Sequence, residues 1–255
     1  KNTQPAILTV SYSIFTVLKT EFNFDFKSTK FFAGHSLGEY SALVCSESLN
    51  FQDALFLLFE RGTAMQEAVP VGKGKMIAIL GSKIDELKSL IKESTTNGVC
   101  EIANDNAEGQ IIISGNKEKV DSFQLLLKDK KIKTIPLKVS APFHCSLMKP
   151  AAELMKGKIN SIKFNKPSIQ IVTNVTAEPE INSENIKSLL IEQISSTVKW
   201  RESIINMHKA GVKNFIEIGP GKALTGMVKR TVKNVNCFSV NSITDMKILE
   251  NEFKK

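Results

Sequence analysis

The sequence predicts an α/β fold, in which a mainly parallel sheet is flanked by helices and carries an inserted α+β subdomain. In the first and last parts of the chain, short apolar runs that indicate strands alternate with helical patterns, which is typical of parallel sheets. Between them, the order of predicted elements is β-α-β-β-α-β, the ferredoxin-like split unit. We therefore expect a large domain formed by residues 1–72 and 138–255, and a small ferredoxin-like subdomain formed by residues 73–137.

The first part of the large domain is predicted to contain one short strand among helices. Apolar residues at a helical period, Pro5 in a first turn and Asn50 as an N-cap define the helices. In chain order, we expect a helix over 4–19, a strand over 30–33, a helix over 37–46 and a helix over 51–68.

A segment rich in proline and glycine, 70–75, marks the start of the small subdomain. Its predicted strands are 76–80, 99–103, 110–114 and 133–139, and its predicted helices are 83–93 and 117–128. Asn104, Asp105 and Asn106 are interpreted as a polar loop between two of these strands. The rest of the large domain is predicted to alternate strands 169–173, 213–218 and 237–240 with helices 150–162, 185–194, 200–209 and 222–232.

Composition excludes several classes of protein. The 255 residues are 42% hydrophobic and 24% charged, as in ordinary globular proteins, and no apolar run is long enough for a membrane span. The cysteines lie far apart, without a Cys-x-x-Cys pair, so neither a zinc site nor a disulfide framework is indicated. We expect reduced thiols and a cytoplasmic location. The net charge of +8 fits either solubility or attraction to acidic partners or phosphates.

The most informative stretch is Gly34-His35-Ser36-Leu37-Gly38, a Gly-x-Ser-x-Gly pattern between a predicted strand and a predicted helix. In this context the pattern predicts a nucleophile elbow, a strained turn that presents the serine at a helix N-terminus, as in hydrolase-like cores. Free N–H groups there can hold a developing oxyanion. The alternative interpretation is a structural glycine turn without chemistry.

An elbow serine needs a base, and the chain has three histidines. His144 lies in a loop of its own and is the candidate base. His35 neighbours the serine and is expected to point away from it, and His208 lies in a polar helix without an expected role. Cys145 is a rival nucleophile, but the side chains of adjacent extended residues point apart, so it should not pair with His144.

Arg61 is a charge within the apolar stripe of the helix predicted over 51–68. A buried charge without a partner is costly, so two interpretations stay open. The side chain either extends to solvent along its apolar stem or waits for an anion.

Taken together, the motifs resemble those of the malonyl-CoA–acyl carrier protein transacylases of fatty acid synthesis, over the whole chain. The matching stretches are Gly34-His35-Ser36-Leu37-Gly38-Glu39-Tyr40, Arg61-Gly62, Pro70-Val71-Gly72, Pro142-Phe143-His144-Cys145, Gln193 with Val198-Lys199-Trp200, and Glu217-Ile218-Gly219-Pro220-Gly221-Lys222.

The resemblance implies a role for each matching residue. Ser36 would carry the acyl group as an ester, and His144 would be its general base, oriented by the main-chain carbonyl of Gln193. Arg61 would hold the malonyl carboxylate in a two-pronged ion pair, and the backbone N–H of Leu37 would donate to the oxyanion. The implied partners are malonyl-CoA and acyl carrier protein. The enzyme would be a cytoplasmic monomer with no metal or cofactor beyond the coenzyme A thioester substrate, and with no nucleic acid or membrane partner.

One element of the family pattern does not occur in the sequence. The family carries a Gly-Gln-Gly-Ser-Gln motif after its first strand, and the glutamine supplies a second oxyanion N–H. We expect that the sequence is truncated at its N-terminus and that this chain alone is weakly active, since one lost donor costs about 10²–10³ in rate.

Two other functions are weighed against acyl transfer. A serine esterase or thioesterase of the α/β-hydrolase type needs an acid between the serine and the histidine, and Asp105, Asp121 and Asp129 are available, all in the predicted small subdomain. An RNA-binding module on a ferredoxin-like sheet would need aromatic strand positions that the sequence lacks.

Overall fold

The computed structural model describes residues 2–94 and 97–253 of the chain. Its helices are α1 (Thr3–Thr20), α2 (Gly38–Cys45), α3 (Phe51–Glu67), α4 (Ile84–Glu93), α5 (Lys117–Asp129), α6 (Lys149–Ser161), α7 (Ser183–Gln193), α8 (Trp200–Lys209), α9 (Ala223–Thr231) and α10 (Ile243–Phe253). Its strands are β1 (Phe32–Ala33), β2 (Gly74–Leu80), β3 (Cys100–Ala107), β4 (Gln110–Asn116), β5 (Lys133–Pro136), β6 (Ile171–Val172), β7 (Pro179–Glu180), β8 (Asn214–Ile218) and β9 (Asn236–Val240). The α/β class is as predicted.

The segment from β2 to β5 forms a four-stranded sheet in the order β3-β4-β2-β5, with every neighbouring pair antiparallel. The elements follow the predicted order β-α-β-β-α-β. The apolar faces of α4 and α5 cover one side of this sheet and enclose a core that includes Ile77, Ile113 and Phe123, all fully buried. This amphipathic arrangement is what the helical periodicity of both segments encodes.

The interpretation of Asn104, Asp105 and Asn106 as a loop was wrong. All three lie in β3 and are buried, and the β3–β4 register shifts between Ile102 and Asn104 and again between Asp105 and Ala107. Buried polar side chains need partners, and those of Asp105 and Asn106 have theirs outside their own sheet. Asp105 pairs with Arg201 of α8, for example.

The remaining strands form two smaller sheets. β1 runs parallel to β6, which pairs antiparallel with β7, and β8 runs parallel to β9. The strands at β1 and β6 are shorter than the predicted 30–33 and 169–173. The parallel pair β1–β6 matters for function, because α2 begins a few residues after β1 ends.

The core of this larger part fixes α2 in place. α2 contacts α1, α3 and β1, and Tyr40, Leu43 and Val44 from α2 join a buried cluster with Leu57 and Met65 of α3. Interiors of this kind are closely packed and have low compressibility, so the N-terminus of α2 has a defined position. No helix in the described part of the chain is long and apolar enough to cross a membrane.

Candidate active site

Ser36 lies in a strained turn between β1 and α2, with a φ of +53°. A non-glycine residue in this region costs free energy and persists only where the surroundings impose it. Gly34 allows the turn, since a Cβ at this position would overlap the backbone carbonyl of Gly38. Gly38 itself has open space around its Cα. The predicted strand–turn–helix context is therefore present, and its steric requirement falls on Gly34.

Ser36 and His144 are brought together as predicted. The Ser36 Oγ lies 2.7 Å from Nε2 of His144, and Nδ1 of the same ring lies 2.9 Å from the carbonyl oxygen of Gln193. A carbonyl only accepts, so Nδ1 carries the proton and Nε2 is free to accept one from the serine hydroxyl. Burial, followed by the charge of Arg61, lowers the pKa of His144 to about 3. The imidazole is therefore neutral and available as a base at physiological pH.

Arg61 is buried beside the serine, and the interpretation that it extends to solvent was wrong. Its side chain is 1% exposed. Nη2 donates to the Ser36 Oγ at 3.0 Å and to Oε1 of Gln193 at 2.9 Å, and Nη1 donates to Oε1 of Gln4 at 2.7 Å. Every one of these acceptors is neutral, and Nε has no acceptor within the described residues. The guanidinium is thus a buried cation next to the candidate nucleophile without a carboxylate partner in the described part of the chain.

The backbone N–H of Leu37 is a free donor at the turn, among the residues that the structure describes. Leu37 is the N-cap of α2, and its N–H has no acceptor among residues 2–94 and 97–253. The N–H of Ser36, by contrast, donates to Oδ1 of Asn174 at 2.6 Å. At the turn, the Leu37 N–H is the group that can donate to a charge developing beside Ser36, reinforced by the positive end of the helix dipole.

The other candidates of the sequence lie away from this pair. His35 bonds Oδ1 of Asn106 through Nε2 at 2.8 Å and packs edge-on against Trp200, and His208 contacts its own helix C-terminus at Val212. Cys145 donates to the carbonyl of Pro142, and burial raises its thiol pKa.

Within residues 2–94 and 97–253, no carboxylate bonds His144 as a hydrolase-type acid would. Asp105 pairs with Arg201, and Asp121 pairs with Lys75 and Lys117. The position that a triad carboxylate would occupy is taken by the carbonyl of Gln193.

Sequence reasoning missed three polar residues that build the site, namely Glu39, Asn106 and Asn174. One signal was available for Glu39, a charge inside the short apolar helix α2. Asn174 lies two residues after the end of β6 and is fully buried, but its sequence context resembles that of an ordinary loop asparagine.

A cavity of about 560 Å³ reaches His144 from the protein surface. Its walls come from β3 and α4 on one side and from the segment after α7 on the other. They include Lys88, Glu101, Ile102, Ser196 and Lys199. No cluster of three or more histidine, cysteine, aspartate or glutamate side chains suited to a metal ion occurs in the described ranges.

The fold and this site define a class of protein. Residues 1–251 match the family described as "Acyl transferase domain", and the chain belongs to that family. The family predicted from the motifs is confirmed.

The relatives within this family are specific. The chain is 40% identical over 249 residues to the malonyl CoA-acyl carrier protein transacylase of Haemophilus influenzae. That match covers 97% of this chain and 79% of the Haemophilus protein. It is 42% identical over 242 residues to the transacylase of the same name from Bacillus subtilis. That match covers 94% of this chain and 75% of the Bacillus protein.

Solved structures agree with this assignment. The malonyl CoA-acyl carrier protein transacylase of Coxiella burnetii superposes with a TM-score of 0.95 at 34% identity, covering 99% of this chain and 79% of that one. A malonyl-transacylase in complex with a type II polyketide acyl-carrier protein superposes with a TM-score of 0.94 at 37% identity, covering 98% and 80%.

Proposed function

We propose that this protein transfers a malonyl group from coenzyme A to the phosphopantetheine thiol of acyl carrier protein, in fatty acid biosynthesis. The class of enzyme follows from the relatives, which are malonyl CoA-acyl carrier protein transacylases at about 40% identity. The observation that carries the substrate choice is the unpaired cation of Arg61, 3.0 Å from the Ser36 hydroxyl. A thioester with a free carboxylate two carbons from the reacting carbonyl suits that distance.

In the first half-reaction, Ser36 is the nucleophile and His144 the general base. The hydroxyl proton passes to Nε2 of His144 as Oγ attacks the malonyl thioester carbonyl. The oxyanion accepts from the Leu37 N–H. When the intermediate collapses, the C–S bond breaks and coenzyme A leaves as a thiol with the proton from His144. The carbonyl of Gln193 keeps the ring oriented throughout, in the role that an aspartate has in a triad.

In the second half-reaction, the carrier protein's thiol is the nucleophile. His144 takes its proton, the sulfur attacks the malonyl ester, and Ser36 leaves with that proton. Donor and acceptor thiols are carried on the same kind of phosphopantetheine arm, so one route to Ser36 can serve both in turn. The chemistry requires no cofactor or metal, because coenzyme A enters as part of the substrate.

We also propose the finer organisation of the protein. Residues 73–137 would be a ferredoxin-like subdomain inserted in a hydrolase-like domain of residues 1–72 and 138–255. The strand order β3-β4-β2-β5 and the parallel pairs β1–β6 and β8–β9 support this division. The protein would act as a cytoplasmic monomer whose net charge of +8 favours an acidic carrier protein.

Intact mass spectrometry tests the proposal directly. After mixing with malonyl-CoA, the protein should gain the mass of one malonyl group, and Ser36→Ala should gain none. A carrier protein in its thiol form should then remove the adduct much faster than water does. Fast loss to water with no transfer would instead indicate a thioesterase, the alternative that shares the same serine and histidine.

A further inference from the structure

Glu39 is a fully buried carboxylate that the proposed mechanism does not use. It lies in the first turn of α2, three residues after the nucleophile. Its Oε2 accepts two hydrogen bonds, from Nε2 of Gln193 at 2.9 Å and from the backbone N–H of Asn174 at 3.0 Å. Its Oε1 has no partner within the described residues. A buried carboxylate is costly unless it is paired and hydrogen-bonded, and only one oxygen of Glu39 has such partners.

Both residues that Glu39 holds also hold the backbone of the elbow. Asn174 accepts the Ser36 N–H at 2.6 Å and donates to the carbonyl of Gly34 at 2.7 Å. Gln193 donates through Nε2 to the carbonyl of Ser36 at 3.0 Å. The side chains of Asn174 and Gln193 therefore hold the strained turn on both sides. Both residues also donate to one oxygen atom of Glu39, Asn174 through its backbone N–H and Gln193 through its side-chain amide.

Gln193 extends this connection to the base and to the cation. Its main-chain carbonyl accepts from His144, and its side-chain Oε1 accepts from Arg61. The Gln193 amide thus lies between two opposite charges, with its oxygen toward Arg61 and its nitrogen toward Glu39. In this orientation the amide dipole stabilises both charges, and the reverse orientation would oppose both.

We propose that Glu39 is a positioning residue for acyl transfer. It fixes Gln193 and Asn174, and through them Ser36, His144 and Arg61, and it supplies the buried negative charge that balances Arg61. This inference rests on the proposed malonyl transfer and deepens it. The negative charge of Glu39 offsets part of the positive charge of Arg61, and this sets how strongly Arg61 binds a substrate carboxylate.

The charge balance depends on pH. Burial raises the pKa of Glu39 to about 7, with opposing contributions from the Gln193 and Asn174 hydrogen bonds and from Arg61. Arg61 of α3 and Tyr40, its neighbour on α2, are the charged or titratable groups that interact with Glu39. The groups that contact Glu39 from Gln193 of α7 and from Asn174 are neutral N–H donors. Protonation of Glu39 leaves Arg61 unbalanced, which favours a carboxylate substrate over an uncharged one.

The test compares Glu39→Ala, Glu39→Gln and Ser48→Ala in the rate of Ser36 malonylation. The alanine variant leaves two buried donors without an acceptor, and we expect the rate to fall about 100-fold, the effect of misplacing reacting groups by about 1 Å. The amide oxygen of the glutamine variant can accept both bonds, and its rate should stay within about tenfold of the wild type. Ser48→Ala is the matched control and should leave the rate unchanged. Ser48 is also buried, and its hydroxyl donates to the carbonyl of Asn165 and not to a residue of the elbow.

A second measurement decides the matter if Glu39→Ala does not fold. In the wild type, the ratio of malonyl to acetyl transfer should fall as pH rises from about 6 to about 8, since Glu39 becomes ionised. In Glu39→Gln the ratio should not change over this range. An alanine variant that folds and acylates at the wild-type rate, or a glutamine variant with the wild-type pH dependence, overturns the inference. Absence of malonylation in the wild type itself would instead overturn the proposed function.

Discussion

Replacing Arg61 by alanine should separate malonyl from acetyl transfer. The guanidinium is buried next to the nucleophile, and its hydrogen-bond acceptors in the described residues are neutral. A malonyl carboxylate would therefore bind a cation that is already desolvated and held in position. An acetyl group offers a methyl group at the same place and gains nothing from the charge.

The structure sets the size of this effect. A hydrogen bond to a charged group contributes about 1.5–3 kcal/mol, so a two-pronged carboxylate pair contributes about 3–6 kcal/mol. The net gain lies toward the lower end, because Nη2 must give up its bond to the Ser36 hydroxyl when the carboxylate arrives. With about 1.4 kcal/mol for each tenfold change, kcat/KM for malonyl-CoA should fall about 10²–10³-fold. Acetyl transfer should fall much less, because it loses only the bonds from Arg61 to Ser36 and Gln193.

The assay measures kcat/KM for malonyl-CoA and for acetyl-CoA with the same carrier protein. Arg61→Lys tests geometry, since it keeps the charge but not the fork, and it should recover part of the malonyl rate. Arg230→Ala, which removes an arginine from the end of α9, is the matched control and should change neither rate. Equal losses with both substrates in Arg61→Ala would refute the reasoning and make Arg61 a structural residue.

The other predictions concern the turn and the base. Gly34→Ala should lower the free energy of unfolding by more than about 3 kcal/mol, because its Cβ would overlap the carbonyl of Gly38. Gly38→Ala, with open space at the same motif, should be neutral or stabilising by up to about 1 kcal/mol, and urea unfolding distinguishes the two. His144 has a pKa of about 3 when folded against an ordinary value of 6.5, so the unfolded chain binds the extra proton and this residue costs stability as pH falls below 6.5. Between pH ~6.5 and pH ~4.5, the wild type should therefore lose about 2–3 kcal/mol more unfolding free energy than His144→Gln loses. An unchanged difference would mean that His144 is not desolvated.

Elements with strong local signals were predicted closely. The apolar period and the Asn50 cap predicted a helix over 51–68, and α3 spans Phe51–Glu67 with the Asn50 side chain accepting from the Asp53 N–H. Short buried strands were predicted too long at β1 and β6, because an apolar run shows burial and not the length of the ladder. Strand length depends on where a partner strand runs, and that information lies in distant parts of the chain.

The site divides in the same way. Ser36 was found from a local motif, and His144 and Arg61 from residue types that were hard to explain otherwise. The structure brings all three within hydrogen-bond distance. Asn174 could not be predicted from a motif or a residue type, since polar residues after strands are common and have many roles. Its role follows only from its position in space beside Gly34 and Ser36.

Glu39 carries the same sequence signal as Arg61. A charge among apolar residues needs a partner, and Glu39 lies in a helix where Tyr40, Leu43 and Val44 are buried. Two buried charges of opposite sign in one protein are expected to lie close together, because the desolvation cost of each is partly offset by the other. Here they do not touch, and the Gln193 amide separates them. In the proposed function, this separation would leave Arg61 available to a substrate carboxylate while its charge is balanced, which a direct ion pair would not allow.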